Sequence, residues 1–448
     1  MQKSLLVAAV FAWTVAYDAP QGMANQVGLD VAMANATLLA DKKQTTYLKV
    51  GLTGFELASH KQRTPVNVTI VLDKSGSMSG QKIVQARNAA IRAIERLAAD
   101  DIVSVIAYDS TVKVIVPATK LTDKQSVIGQ IRQINSGGST ALFAGVSKGA
   151  AELRKFFDHN RVNRIILLSD GLANVGPKSP SELGELGASL NKEGIAVSTL
   201  GLGLDYNEDL MVKLAQRSGG NHHFIENAAD LVRIFNYEFD DVLSVVAQEV
   251  NIMIDLEPGI RPVRVLNTDA EINGQQVITN LSQLYASQEK HVLLEVEVPA
   301  TAAGKTIKVA KVRVSYANMA TNKTDELTGT VNVSFSASAD DVAAGVKKKV
   351  LEASVLLIAN ERNKLATAYR DQGRVEEAKR LLFLNSQYLE KNGKLLDSFQ
   401  CTTACELNRI QASSLDDEKS YHRTRKEMRE LQLQYDTQQL RNSSRDKP

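Results

Sequence analysis

Val66-Asn67-Val68-Thr69-Ile70-Val71-Leu72-Asp73-Lys74-Ser75-Gly76-Ser77 sets an uncharged, largely apolar run, Val66 to Leu72, directly before a carboxylate and two hydroxyls. The β-branched residues from Val66 to Leu72 predict a strand buried on both faces, the kind found in a parallel sheet covered by helices. Asp73, Ser75 and Ser77 then fall on the loop at its carboxyl end and offer only oxygen. A D-x-S-x-S match arises by chance in about one chain in ten of this length. The fold and any further ligands must therefore be sought elsewhere along the chain.

Outward from this stretch, short apolar strands alternate with amphipathic helices up to residue 246. Further strands are expected at Ile102 to Tyr108, Val112 to Val116, Arg164 to Ser169, Ile195 to Gly201 and His222 to Ile225. Helices are expected at Gln81 to Leu97, Asp123 to Ile134, Leu142 to Phe157, Ser181 to Glu193, Asn207 to Gln216 and Ala229 to Val246. Repeated strand, helix, strand predicts a doubly wound, mostly parallel α/β sheet. The short Tyr108-Asp109-Ser110-Thr111 link predicts one antiparallel edge strand.

Both flanks read differently. Residues 27–60 alternate as strands, and so do residues 248–336, where Pro258-Gly259, Asn273-Gly274 and Gly304 break the pattern. These two pieces are expected to form one antiparallel β-sandwich, with the α/β domain of residues 64–246 inserted between them. Residues 340–400 read as helices, Val342 to Glu361, Leu365 to Gly373 and Val375 to Leu396. The run Leu365-Ala366-Thr367-Ala368-Tyr369 with Gly373 and Glu377-Ala378 resembles a tetratricopeptide hairpin, but one copy is not an array. The tail 401–448 carries Tyr421, Met428, Leu431 and Tyr435 at heptad-like spacing. A solvated, partly ordered helix is expected there, with a partner helix or self-pairing coiled coil as the alternative.

The chain has 448 residues, 44% of them hydrophobic, enough for a full core. Its 53 basic and 51 acidic side chains leave a formal charge of +2, which gives no global attraction to nucleic acid or anionic lipid. Lys3 and the weakly polar stretch from Ser4 to Ala16 suit a signal peptide over residues 1–24, cleaved after Ala16 or Ala24; a buried first helix or strand is the alternative. No later stretch reaches the roughly 18 apolar residues of a bilayer span, so an exported protein is expected, whether periplasmic, cell-surface or secreted. Cys401 and Cys405 lack nearby histidines for a zinc site. They are either a local disulfide, four residues apart on a helix, or two partly buried free thiols.

In a doubly wound sheet, ligands sit at the carboxyl ends of the strands where strand order reverses. Asp73 lies there. The loop Asn135-Ser136-Gly137-Gly138-Ser139-Thr140 adds a hydroxyl, and Ile165-Ile166-Leu167-Leu168-Ser169-Asp170-Gly171 ends another strand with a second carboxylate. Carboxylates and hydroxyls without nitrogen or sulfur suit a hard cation, Mg²⁺ foremost, with Mn²⁺ or Ca²⁺ as substitutes. His222-His223 are adjacent on a strand and point to opposite faces, so a structural role is expected. Asp109 and Asp205, near strand ends, read as loop caps, with support of the cation site from behind as the alternative. The Asn35 and Asn322 sequons carry little weight without a known host.

Asp73-x-Ser75-x-Ser77, Thr140 and Asp170, together with Val71 to Met78, Gly137 to Thr140 and Leu167 to Gly171, resemble the metal-ion-dependent adhesion site of the von Willebrand factor type A family. The resemblance covers about 180 residues of this chain. It implies that Asp73, Ser75, Ser77 and Thr140 ligate the cation, with Asp170 direct or through water. The strands ahead of the domain make the chain similar to secreted bacterial proteins labelled calcium-activated chloride channel homologues. Animal proteins so labelled carry an HExxH motif that this chain lacks.

The function so implied is protein binding without catalysis, in adhesion or assembly, with a partner's Glu or Asp completing the metal's shell. An assembly scaffold recruiting through the helical C-terminus is the alternative. A metal-dependent phosphohydrolase with Asp73 as nucleophile is disfavoured, because Ser75 stands where that chemistry needs a second acid.

Overall fold

The computed structural model describes residues 25–57 and 63–440. The expected signal peptide lies outside them. Three strands come first, β1 (Gly28–Met33), β2 (Thr37–Leu39) and β3 (Gln44–Thr53). The α/β unit follows as β4 (Val66–Asp73), α1 (Gln81–Arg96), β5 (Ile102–Tyr108), β6 (Val112–Lys120), α2 (Lys124–Ile131), α3 (Leu142–Arg154), β7 (Val162–Ser169), α4 (Pro180–Lys192), β8 (Ala196–Leu202), α5 (Glu208–Ser218), β9 (His222–Ile225) and α6 (Leu231–Leu243). Then come β10 (Val245–Leu256), β11 (Arg261–Val265), β12 (Ala270–Asn273), β13 (Gln276–Tyr285), β14 (Glu289–Val298), β15 (Thr306–Asn318) and β16 (Lys323–Ser336). The chain closes with α7 (Ala339–Ala344), α8 (Lys348–Asp371), α9 (Val375–Leu396), α10 (Phe399–Ser413) and α11 (Glu418–Thr437).

The α/β sheet has the order β6-β5-β4-β7-β8-β9, parallel except for the β5–β6 hairpin. Every residue of β4 and β7 is buried, as two covered faces require. Val68, Ile70 and Leu72 pack on one face with α1 and α6, while Val71, Ile165 and Leu167 pack on the other with α3 and α4. The chain builds outward from β4 to β5 and then returns to place β7 on the other side of β4. The strand order therefore reverses between β4 and β7, which opens a crevice at their carboxyl ends.

The flanking strands make two sheets, β1-β3-β14-β11 and β12-β13-β10-β15-β16-β2. Leu48, Val50, Val292 and Leu294 of the first share one apolar core with Ile252, Ile254, Val312 and Val314 of the second. Segments before and after the α/β insertion thus close a single sandwich. It is not wholly antiparallel, because β2 joins β16 in parallel, with Thr37 opposite Ser334. A long excursion of chain separates those two strands, so no tight turn imposes an antiparallel pairing.

Three other expectations change. The last α/β helix stops at Leu243, and Val245 and Val246 begin β10, so the connection into the sandwich is almost immediate. The two helices expected between Val342 and Gly373 are the short α7 and the unbroken α8. The tail is packed: Tyr421 and Met428 are 4% and 0% exposed, and α11 lies against α8, α5 and β9. Cys401 and Cys405 are free thiols. Both point from α10 into an apolar cluster with Leu389 and Leu396, where burial raises their pKa values, so the disulfide alternative is not formed.

Candidate functional site

Asp73 is the last residue of β4 and is fully buried. Its Oδ1 accepts the Ser75 N–H at 2.8 Å, and its Oδ2 accepts the Ser169 hydroxyl at 2.7 Å and the Tyr108 hydroxyl at 3.3 Å. A carboxylate has about four lone-pair positions, so these bonds aim it and still leave one direction open. Burial holds its carboxyl above the usual range and Asp170 adds to the effect, against the opposing hydrogen bonds from Ser169 and Ser75. A nearby positive charge would relieve that penalty.

The loop after β4 is tied to the loop before α3 by backbone bonds. Gly76 N–H donates to Gly138 at 2.9 Å, and Gly137 N–H donates to Lys74 at 2.6 Å. Gly138 has φ +83°, and a Cβ there would sit 3.0 Å from the Asp109 side chain, so only glycine suits this crossing. Asp109 caps the β5–β6 turn, accepting from Thr111 N–H at 2.8 Å, and also pairs with Lys74. Its carboxyl is held below the usual range, because the bonds from Lys74 and Thr111 outweigh the opposing effect of burial. Asp205 is exposed on the β8–α5 loop.

Ser75, Ser77 and Asp170 form a continuous chain. The two serine hydroxyls lie 3.1 Å apart, and Ser77 donates to Asp170 Oδ1 at 2.6 Å. The other oxygen of Asp170 accepts from Lys82 Nζ at 2.5 Å. Thr140 is held from behind, its N–H donating to Asn174 Oδ1 at 2.8 Å. A Cβ on Gly171 would lie 3.3 Å from both Ser77 Oγ and Thr140 Oγ1, so these hydroxyls flank one point and glycine keeps it clear. Ser77 is exposed while Ser75, Thr140, Asp73 and Asp170 are buried, so the cluster opens to solvent on one side only.

All five residues singled out in the sequence thus meet at the β4–β7 crevice. Their supports were not foreseen: Tyr108 and Ser169 orient Asp73, Asn174 holds Thr140, and Lys82 pairs with Asp170. Ser169 stands inside the quoted motif, whereas Lys82 gives no signal, since only the fold brings the start of α1 to the end of β7. The histidines are structural. His222 Nδ1 lies 2.8 Å from Thr199 Oγ1, and His223 pairs with Glu238 at 3.2 Å. Among the described residues, no three His, Cys, Asp or Glu side chains gather as a metal-holding group. A cation at this crevice would depend on the hydroxyls.

The comparisons with known proteins agree with this architecture. Residues 67–236 match the family model of the von Willebrand factor type A domain, and the α/β unit is such a domain. An uncharacterized protein of Synechocystis sp. is 28% identical over 60% of this chain and 65% of its own length. Inter-alpha-trypsin inhibitor heavy chain H3 of Mus musculus is 26% identical over 51% of this chain and 27% of its own. The chain therefore spans less than two thirds of these curated relatives. Among solved structures, a von Willebrand factor type A protein from Catenulispora acidiphila has a TM-score of 0.71 at 15% identity, covering 94% of this chain and 99% of that one. The ArnB paralog VWA2 from Sulfolobus acidocaldarius has a TM-score of 0.63 at 17% identity, covering 92% and 98%. At these identities the likeness is one of fold, and it extends through the sandwich and the helices.

Proposed function

We propose that this protein binds another protein through a divalent cation held at the β4–β7 crevice, and that a Glu or Asp of the partner completes the cation's coordination. The observation that carries this reading is the convergence of the Ser75, Ser77 and Thr140 hydroxyls with the Asp73 and Asp170 carboxylates at one open point. That donor set fits Mg²⁺, with Mn²⁺ or Ca²⁺ as substitutes, and contains no soft ligand to favour another metal. The cation would supply a positive charge for a partner's carboxylate. The protein's own residues do the rest: Ser169 and Tyr108 orient Asp73, Gly171 leaves the approach clear, and the paired loops hold the hydroxyls in place. Leu172 and Val175, 58% and 38% exposed on the loop after Asp170, offer apolar contact beside the site, as a protein partner would use. Ser75 in place of a second acid supports binding rather than phosphoryl chemistry. We place this action outside the cytoplasm, on the pattern of residues 1–24; no helix among the described residues is long and apolar enough to cross a membrane.

Thermal unfolding tests the site. Mg²⁺ should raise the melting temperature of EDTA-treated protein as its concentration rises, by roughly 2.7 kcal/mol of stability at a hundred times the dissociation constant. Asp73→Ala should abolish the response. An equal response in that variant would remove Asp73 from the site.

A further inference from the structure

The ammonium of Lys82 already stands at the candidate cation site. Lys82 is the second residue of α1, and its Nζ lies 2.5 Å from Oδ2 of Asp170, a carboxylate that is fully buried. Ser77 occupies the other oxygen of Asp170. The glycine turn after β8 passes close to the lysine, since a Cβ on Gly203 would lie 3.7 Å from its Nζ, while the side chain keeps 28% of its surface exposed. The neighbouring Lys74 is committed to Asp109. Withdrawing Lys82 would strand a buried carboxylate without its countercharge, which is strongly unfavourable.

We propose that Lys82 is the charge-setting residue of this site: by neutralising Asp170 it leaves a bound divalent cation with Asp73 as its one uncompensated carboxylate, so the cation retains affinity for a partner's carboxylate. The inference rests on the cation-dependent reading above. The three hydroxyls are neutral, so the occupied site keeps a net positive charge while Lys82 stays paired, and becomes neutral when Lys82 is lost. A neutral site holds its metal more tightly and a carboxylate ligand more weakly. Lys82 acts through Asp170 and is a positioning residue, not a ligand.

The test is Lys82→Met on the full chain, with Lys82→Arg as the charge-preserving control. Mn²⁺ binding is measured by electron paramagnetic resonance, and acetate binding to the Mn²⁺-loaded protein by water-proton relaxation. Removing one charge from within a few ångströms of a dication should tighten Mn²⁺ binding about tenfold or more and weaken acetate binding by a similar factor. Lys82→Arg should behave like the wild type in both. Opposite movement of the two affinities is the signature, since a merely structural loss would weaken both. If the wild type binds Mn²⁺ and Lys82→Met binds it equally or less well, the role of Lys82 is overturned while the cation site stands. If the wild type binds no Mn²⁺, the cation reading itself falls and this inference falls with it.

Discussion

Asp73 shows how much one side chain's meaning depends on its surroundings. In sequence it ends an apolar run; in the structure three donors hold it, and burial makes a nearby cation welcome. Its role was legible because strand, loop and ligand are contiguous in the chain. Lys82 was not legible, because its partner Asp170 is distant in sequence and lysine on an amphipathic helix ordinarily faces water. His291 on β14 offers a residue-scale test unrelated to the metal. Its Nε2 is enclosed without a hydrogen-bond partner, and burial, with Lys49 adding, lowers its pKa from 6.5 to about 4. A folded-state value below the unfolded one means full stability above pH 6.5 and loss as the pH falls toward 4. This group should account for about 2 kcal/mol of the loss between pH 7.5 and pH 5. His291→Leu should leave stability at pH 7.5 near the wild-type value and reduce the acid loss by that amount, as read from urea denaturation at the two pH values.

At the scale of elements, α11 departs furthest from the sequence reading. Its charges suggested a solvated helix, yet Arg425 and Lys426 pair with carboxylates of the neighbouring elements. Arg425 pairs with Glu208, with Asp209 at 2.7 Å and with Asp371 at 2.8 Å, and Lys426 donates to Glu208 at 2.6 Å and to the Tyr206 carbonyl at 2.7 Å. Periodicity in α11 identified the apolar face, with Tyr421 and Met428 in the core, but not what covers it. The cover comes from α8 and from α5 and β9 of the α/β unit, none of them adjacent to α11 in the chain. Arg425→Ala removes the one cation that bridges Glu208, Asp209 and Asp371, leaving Lys426 and Arg429 to hold them, and should lower stability by about 1–3 kcal/mol in urea denaturation. A variant as stable as the wild type would reduce α11 to a loosely held tail.

For the whole molecule, the joint between the type A domain and the sandwich matters most. Arg164 on β7 is fully buried and reaches Glu238 of α6 at 3.1 Å, Ser198 at 2.6 Å, Tyr285 of β13 at 3.0 Å and the Gln283 side chain. One guanidinium thus ties the central sheet, the last domain helix and the sandwich together. Arg164→Met should cost about 3 kcal/mol, because Glu238 would stay buried without its arginine, and adding Glu238→Gln should recover part of that loss. Scanning calorimetry of the single and double variants checks both. The insertion of an α/β unit into a sandwich was legible because the hydrophobic period changes at each junction, from two to the mixed helical pattern and back. The sequence by itself determined the doubly wound sheet, the strand ends that carry the oxygens and the identity of those oxygens, since each is written in contiguous residues. Only the tertiary structure decided the parallel seat of β2, the docking of α11, the Arg164 joint and the Lys82–Asp170 pair. These join residues far apart in the chain, and local propensity carries no information about which distant charge will be buried beside which.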